Sequence, residues 1–382
     1  MIEKNPFRIF FPIGIAFSII GTMVWILFVF QMLPFYPGPN HPEVMIGGFL
    51  YSFSFGFLLT AIPRFTGSTP ATDAEIYSIA IPCIGALIAA LFWKFFFFHI
   101  FLFLAEIFLV IFLIKRFLTR IHKLPSPFIF VGFGMFSGLL STAFYVTNDL
   151  ISIPGPLFII ARILFLKGTM FFLLLGIGSR LIPALLGWIE MPTAVLQTRT
   201  KSPYLFPIGA LILLSGFIVE GFFSSDYGKM IQAIPLAFFP FFAWKIYKKP
   251  KNPGFLSWLI IIASWLLVFG FISSILIPLH AIHLIHLSYV SGLGLLTLMI
   301  ATRVSVSHSG LNSMIEQKSK LLLSVGVLVI LAATTRASSG ISEKIYLHHL
   351  AYASSCWIVG VLLWSYLLFP KIFFRPLSKE KL

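Results

Sequence analysis

Imidazole is the commonest side-chain metal ligand and an axial ligand of haem iron, so chemistry is sought first at the nine histidines. Seven of them, His41, His99, His280, His283, His286, His348 and His349, fall at the same end of successive long apolar segments; His122 and His308 fall at the other. His283 and His286 are three residues apart and share a helix face. His280 extends that row with a further turn of about 60°. A lone imidazole at such a boundary is explained by hydration among lipid headgroups. Seven at one end point to at least one pair that binds a metal or haem. Ionisable side chains inside apolar segments are the second source of chemistry, because they are expensive there. Arg162 is placed to hold an anionic ligand group such as a haem propionate. Lys167 is a snorkelling cation or half of an internal ion pair. Glu106 is a proton relay or the partner of Lys167, and Glu220, at a helix end, is interfacial.

The elements that position these residues are transmembrane helices. Of the 382 residues, 59% are hydrophobic and 10% charged, against about 25% charged in soluble domains. Mean hydropathy is +1.00. The apolar runs place spans at Phe10–Leu33, Val44–Ile62, Ile76–Phe92, Phe95–Ile114, Phe128–Thr147, Leu157–Ile177, Tyr204–Phe222, Ile231–Tyr247, Phe255–Ile277, Ala281–Ala301, Lys320–Thr335 and Leu350–Phe369. Each approaches the roughly 20 residues a spanning helix needs, so the chain reads as one all-α membrane domain, residues 1–382, of about twelve helices. Trp93 and Lys94 alone mark the turn between the third and fourth. The run after Lys4 and Arg8 is too long for a signal-peptide core and reads as an uncleaved first helix.

Charge fixes the expected orientation. With the N-terminus inside, 21 of the 27 Lys and Arg residues fall in inside segments and four (Lys94, Lys229, Arg336 and Lys344) outside, which places both termini in the cytoplasm. The net charge of +15 is thereby explained by topology, and nucleic acid is excluded as a partner because the cations form no patch with aromatics. Cys83 and Cys356 lie in apolar spans and read as small core residues. No Walker motif, GxGxxG, CxxC or CxxCH occurs, which argues against covalent haem. Arg64, Arg180 and Arg303 end three inward helices at spacings of 116 and 123 residues. That spacing fits a four-helix unit used three times, and equally fits the tendency of Arg to end inward helices.

Three stretches resemble the NnrS family of bacterial membrane proteins. His41-Pro-Glu-Val-Met-Ile-Gly-Gly-Phe49 with Gly56-Phe-Leu-Leu-Thr-Ala-Ile-Pro-Arg-Phe-Thr-Gly67 is similar to the family's H-x-H-E-M-x-x-G-F and G-F-L-L-T-A-x-P-x-x-T-G. Gly178-Ser-Arg-Leu-Ile-Pro183 is similar to G-G-R-x-I-P, so Arg180 and Pro183 are motif residues. The run from His286 through Thr302-Arg303 to His308-Ser-Gly310 resembles H…G…T-R…G-H-T-G-R. The resemblance implies a haem- and copper-containing protein of the bacterial inner membrane that acts in the nitric oxide and denitrification stress response. Membrane lipid, haem and nitric oxide would be its partners. By fold analogy it implies three four-helix arcs like those of haem–copper oxidase subunit I.

On that reading His41 and His286 are the expected axial ligands of one non-covalent, b-type haem, with His283 the competitor, Arg162 near a propionate and Glu43 the acceptor for the second ring nitrogen. His348, His349, His99 and His280 are the expected metal ligands. Glu43 stands where the family has its second His, a departure that argues against a full copper site. A transporter of a metal or small anion, lined by Arg162, Lys167 and Glu106, and a cofactor-free assembly scaffold are the alternative functions.

Overall fold

A chain this apolar must satisfy its backbone polar groups within each segment, and helices are the open-ended way to do so in lipid. The computed structural model describes residues 5–189 and 204–373, which are helical throughout with short connections and no strand. Among the 21 inside cations, Lys4, Arg199, Lys201, Arg375, Lys379 and Lys381 lie outside the described residues. Twelve long helices follow the expected order: α1 (Phe7–Val29), α2 (His41–Thr66), α3 (Asp73–Leu91), α4 (Phe95–Leu118), α5 (Phe128–Leu150), α6 (Gly155–Leu185), α7 (Leu205–Phe222), α8 (Ser225–Phe242), α9 (Phe255–Leu276), α10 (Pro278–His308), α11 (Lys320–Ile341) and α12 (Glu343–Phe373). Eleven are long and apolar enough to cross a membrane. The exception is α8, where Asp226, Lys229, Gln232 and two prolines dilute the apolar run. The helices of 31 residues, α6, α10 and α12, would extend about 46 Å, beyond a hydrocarbon core of about 30 Å. The apolar stretch alone understates them, because their polar ends continue the helix.

Helix ends follow local chemistry. Thr72 and Glu75 form a capping box at the start of α3, which satisfies two orphan donors. Glu75 also receives Arg116 from the end of α4 at 2.6 Å, and the guanidinium lies over the Phe112 ring at 4.4 Å. The α3–α4 hairpin is thus pinned at its open end, while Trp93 closes the other with a left-handed φ of 55°. At the close of α2, Gly67 has φ of 67°, and Thr66 accepts backbone N–H groups of Ile121 and His122 on its carbonyl.

The packing is a closed ring. Three units repeat: α1 on α2 with the α3–α4 hairpin, α5 on α6 with α7–α8, and α9 on α10 with α11–α12. Contacts of α4 with α5, α8 with α9 and α12 with α1 join the units. The second helix of each unit is the most buried, at 78%, 67% and 61% for α2, α6 and α10, against at most 56% for the other spans. Each of the three also carries a π-helical stretch, at Val44–Leu50, Leu164–Gly168 and Leu287–Gly294. The π stretches begin 120 and 123 residues apart, close to the Arg64–Arg180–Arg303 spacing. Two independent marks at one spacing favour the repeated unit over the bland tendency of Arg to end helices. Small residues allow the close approach: a Cβ on Gly47 would lie 2.5 Å from the Phe165 ring and one on Gly294 2.8 Å from Trp357.

Candidate functional site

The three π stretches matter because a π turn interrupts the regular i to i+4 bonding and re-aims the side chains just before it. His41, Arg162 and His286 each lie one to three residues ahead of such a stretch. All three line one cavity of about 710 Å³ at the end of the ring away from Phe7 and Phe373, together with His283, Lys167 and Arg336. Trp25, Phe49 and Trp357 contribute to its largely apolar wall. The size falls within the roughly 300–1,000 Å³ typical of small-molecule and cofactor sites. The sequence reasoning had brought His41, His286, His283 and Arg162 to one region, and the fold places them on one wall system.

The two histidines singled out as a pair are held alike. His41 Nδ1 donates to the carbonyl of Gly21 at 2.6 Å, with its ring edge-on to Trp25 at 5.6 Å. His286 Nδ1 donates to the carbonyl of Ile282 at 2.6 Å. A carbonyl only accepts, so each Nδ1 carries the proton and each Nε2 keeps its lone pair. Neither Nε2 has a hydrogen-bond partner among the described residues. An Nδ1–H fixed on a backbone carbonyl is the usual support of a ligating histidine. Glu43 is therefore not the acceptor for His41, as expected above; backbone fills that role and Glu43 turns to His99.

His283 is held the opposite way. Arg336 Nη1 donates to its Nδ1 at 2.7 Å and to Ser339 Oγ at 2.8 Å. A guanidinium cannot accept, so Nδ1 of His283 is the bare nitrogen and its Nε2 carries the proton. In this arrangement His283 offers no free lone pair, which separates it from its neighbour one turn away. Arg336 was legible in the sequence only as one of four basic residues on the sparsely charged side.

The other expected ligands are dispersed. His280 lies beside His283, with ring centroids 6.2 Å apart. His349 Nδ1 donates to the Thr335 carbonyl at 3.1 Å, whereas His348, next in sequence and so turned about 100° away, is exposed beside Tyr352. His99 is buried between two carboxylates, Nδ1 to Asp149 Oδ2 at 2.8 Å and Nε2 to Glu43 Oε2 at 3.2 Å. Among the described residues no three His, Cys, Asp or Glu side chains gather as metal ligands would. Cys83 and Cys356 are free thiols.

Two further expectations are corrected. Lys167 pairs with Glu220, not Glu106, and Gln232 Nε2 donates to the same carboxylate at 2.6 Å. Glu220 is accordingly buried rather than interfacial, because α7 places it against α6. Glu106 instead accepts from Thr142 Oγ1 at 2.5 Å.

The motif residues lie at the other end of the ring. Thr302 Oγ1 accepts from Trp364 Nε1 at 2.9 Å, and Arg303 reaches Glu316 at 2.8 Å. Burial pushes the Glu316 carboxyl above its ordinary value, against the lowering pull of Arg303. Ser179, beside Arg180, accepts from Trp244 Nε1 at 3.2 Å. Pro183 gives its carbonyl to the Trp188 N–H at 2.8 Å. His308 packs on Phe7 at 5.9 Å, remote from the cavity, and Arg64 is exposed near it. These positions brace helix ends.

A family model described as NnrS protein matches residues 2–376. The chain belongs to the NnrS family. No curated protein matches it. Membership suggests a role in the nitric oxide response and agrees with a multi-pass membrane protein. Within this NnrS chain, the stretch from His41 to Gly67 divides in two: its first residues face the cavity, and its last terminate α2 and brace the loop that carries His122.

Proposed function

We propose that this NnrS-family chain binds a non-covalent haem in the cavity and acts on, senses or sequesters nitric oxide in the bacterial inner membrane, with the histidine end facing outward. The observation that carries the reading is the matched pair His41 and His286, each with Nδ1 fixed on a backbone carbonyl and Nε2 free at the wall of one cavity. The donor set suits a haem: two neutral imidazoles for iron, cationic Arg162 and Arg336 for propionates, and aromatic walls for the macrocycle. Bound haem would supply an iron centre for a diatomic ligand. The protein's share is different. Gly21 and Ile282 hold the imidazole tautomers, Arg336 withholds His283, and the apolar wall keeps water out. The surrounding bundle suits a substrate that partitions into lipid.

The cations on the cavity wall also support a second reading, passage or binding of a small organic or inorganic anion. An absorption spectrum of protein purified after haem-sufficient expression separates the two. A Soret band that shifts when nitric oxide is added supports the haem reading; its absence, with chloride or carboxylate binding retained, favours the second.

A further inference from the structure

One corner at the end of the ring opposite the cavity combines charge with a cleft. There α8 gives way to the connection that leads to α9. Lys245, Lys248, Lys249 and Lys251 fall within seven residues of that connection, and all four are exposed. Cations elsewhere at this end have partners: Lys115 and Arg116 share Glu75, and Arg303 holds Glu316. The sequence has no acidic residue between Asp226 and Glu316. None of the four lysines forms an ion pair among the described residues. Like charges this close repel one another, and an anion from outside the chain would relieve them.

The backbone holds the charges in place. Lys245 has φ of 56°, a left-handed conformation that costs a residue with a Cβ. Its neighbours Trp244 and Ile246 are both buried, while Lys245 itself stays exposed. The Lys251 N–H donates to the Leu186 carbonyl, at the end of α6, at 2.9 Å. The ammonium groups of Lys248 and Lys251 lie 5.8 and 5.5 Å from the Trp188 ring. The connection is thus tied to the bundle.

Beside it a groove of about 210 Å³ runs between α8 and α9. Phe238, Phe241, Phe242 and Ile246 form one side, and Trp265 of α9 forms the other. Trp265 Nε1 donates to the Ile246 carbonyl at 3.2 Å, so the indole presents only its apolar surface. Phe241 stacks on Tyr247 at 4.8 Å and meets Trp265 edge-on at 6.2 Å. The walls are therefore preformed. Phe241, Phe242 and Trp265 remain exposed on the flank of the bundle, so the groove opens towards lipid. It is smaller than the roughly 300–1,000 Å³ of a site that encloses a whole small molecule. A segment of an alkyl chain, lying along the helices, fits it. Topology alone accounts for lysines in this connection. It does not account for a rigid aromatic groove that begins beside them, with Lys245 placed between the groove residues Phe242 and Ile246.

We propose that this corner of α8 and α9 binds one anionic glycerophospholipid, with its phosphate among Lys245, Lys248 and Lys249 and one acyl chain in the aromatic groove. The occupant is a lipid and not a free anion because the charges and the alkyl groove adjoin. Basic clusters at helix ends take lipid headgroups in this way. The proposal is independent of haem.

The test is native mass spectrometry of the full chain in detergent, titrated with phosphatidylglycerol and separately with phosphatidylethanolamine of the same acyl chains. A lysine near an anionic headgroup contributes about a fivefold gain, so two engaged lysines give an expected preference for phosphatidylglycerol of roughly 25-fold. Replacement of the four loop lysines by Gln should abolish that preference. A control replaces four exposed cations elsewhere at this end, Arg120, Lys123, Lys318 and Lys320, by Gln. It changes the net charge equally and should keep the preference. Ala237→Trp fills the groove and retains every lysine; it should weaken both lipids severalfold, because packing of the chain is lost. Equal binding of the two lipids overturns the proposal. So does a control that loses as much as the loop variant, or undiminished binding in Ala237→Trp. Displacement of the lipid by inorganic phosphate assigns the charges to a free anion, and a dimer lost in Ala237→Trp assigns the groove to a second copy; either result also overturns it. Lys245→Gln alone should cost about fivefold, and it keeps the test intact if the four-lysine variant does not reach the membrane.

Discussion

The pairing of Lys167 with Glu220 yields the sharpest energetic expectation. Their side chains are 13% and 8% exposed, and Gln232 adds a neutral donor to the carboxylate. Replacement of Lys167 by Met leaves Glu220 as an uncompensated buried anion, at a cost of about 3–5 kcal/mol. Glu220→Leu strands the ammonium at a similar cost. Removal of both charges together leaves only the Gln232 amide without its acceptor, which costs about 1–3 kcal/mol. The double variant should therefore outlast either single one, although additivity would place it about 6–10 kcal/mol below wild type. Membrane proteins commonly unfold irreversibly, so the assay is the half-life of the folded, monodisperse fraction at fixed temperature in one detergent. A double variant that loses the sum of the single losses would refute the reasoning, because the two groups would then not act as a unit.

Three further outcomes follow from the fold. Gly67→Ala should destabilise by about 1–2 kcal/mol from its positive φ, and more from a Cβ 2.7 Å from the His122 ring. Gly132→Ala, with nothing within 4 Å, should be neutral or stabilise by up to about 1 kcal/mol; unfolding half-lives compare the two. Thr302→Val should cost about 1–3 kcal/mol by leaving the buried Trp364 N–H without its acceptor, with no change in ligand binding at the cavity, read by the same half-life and by a binding titration. Cysteines placed at Asn40, Ser224 and Ser342 should react with an impermeant reagent in intact cells while those at Arg120 and Lys249 do not, as the division of Lys and Arg requires; the reverse pattern would invert the orientation.

Much of the scaffold was legible because lipid imposes a single rule on every span. The apolar runs located all twelve helices; many of their ends were short, since polar residues such as Glu343 and His348 continue a helix beyond the hydrocarbon, while the ends at Leu33 and Tyr247 overran α1 and α8. The apolar run Ile231–Tyr247 found α8 but missed its polar first turn with Asp226 and Lys229, so the helix begins earlier, at Ser225. The three arginines fitted a threefold organisation and a helix-end tendency equally, and the matching π stretches decided between them. The site was legible in part. Spacing and motif brought His41, His286 and Arg162 forward, but the partner of each buried charge depends on helix neighbours that a single sequence does not reveal. Lys167 and Glu106 both lie inside apolar runs and so read as partners, yet α6 turns Lys167 towards α7 and Glu220. The tautomers of His283 and His286 could not be read at all, because they are set by Arg336, some 50 residues away, and by the Ile282 carbonyl. The Glu43–His99–Asp149 triad joins three helices, and its one sequence signal was a histidine next to an apolar run.

The central claim is that His41 and His286 hold one haem and that His283 and His308 do not. Haem per folded protein in the single alanine variants at these four positions tests it most directly. Loss in His41→Ala and His286→Ala with retention in His283→Ala and His308→Ala is the expected result. Retention in His286→Ala together with loss in His308→Ala would contradict the account.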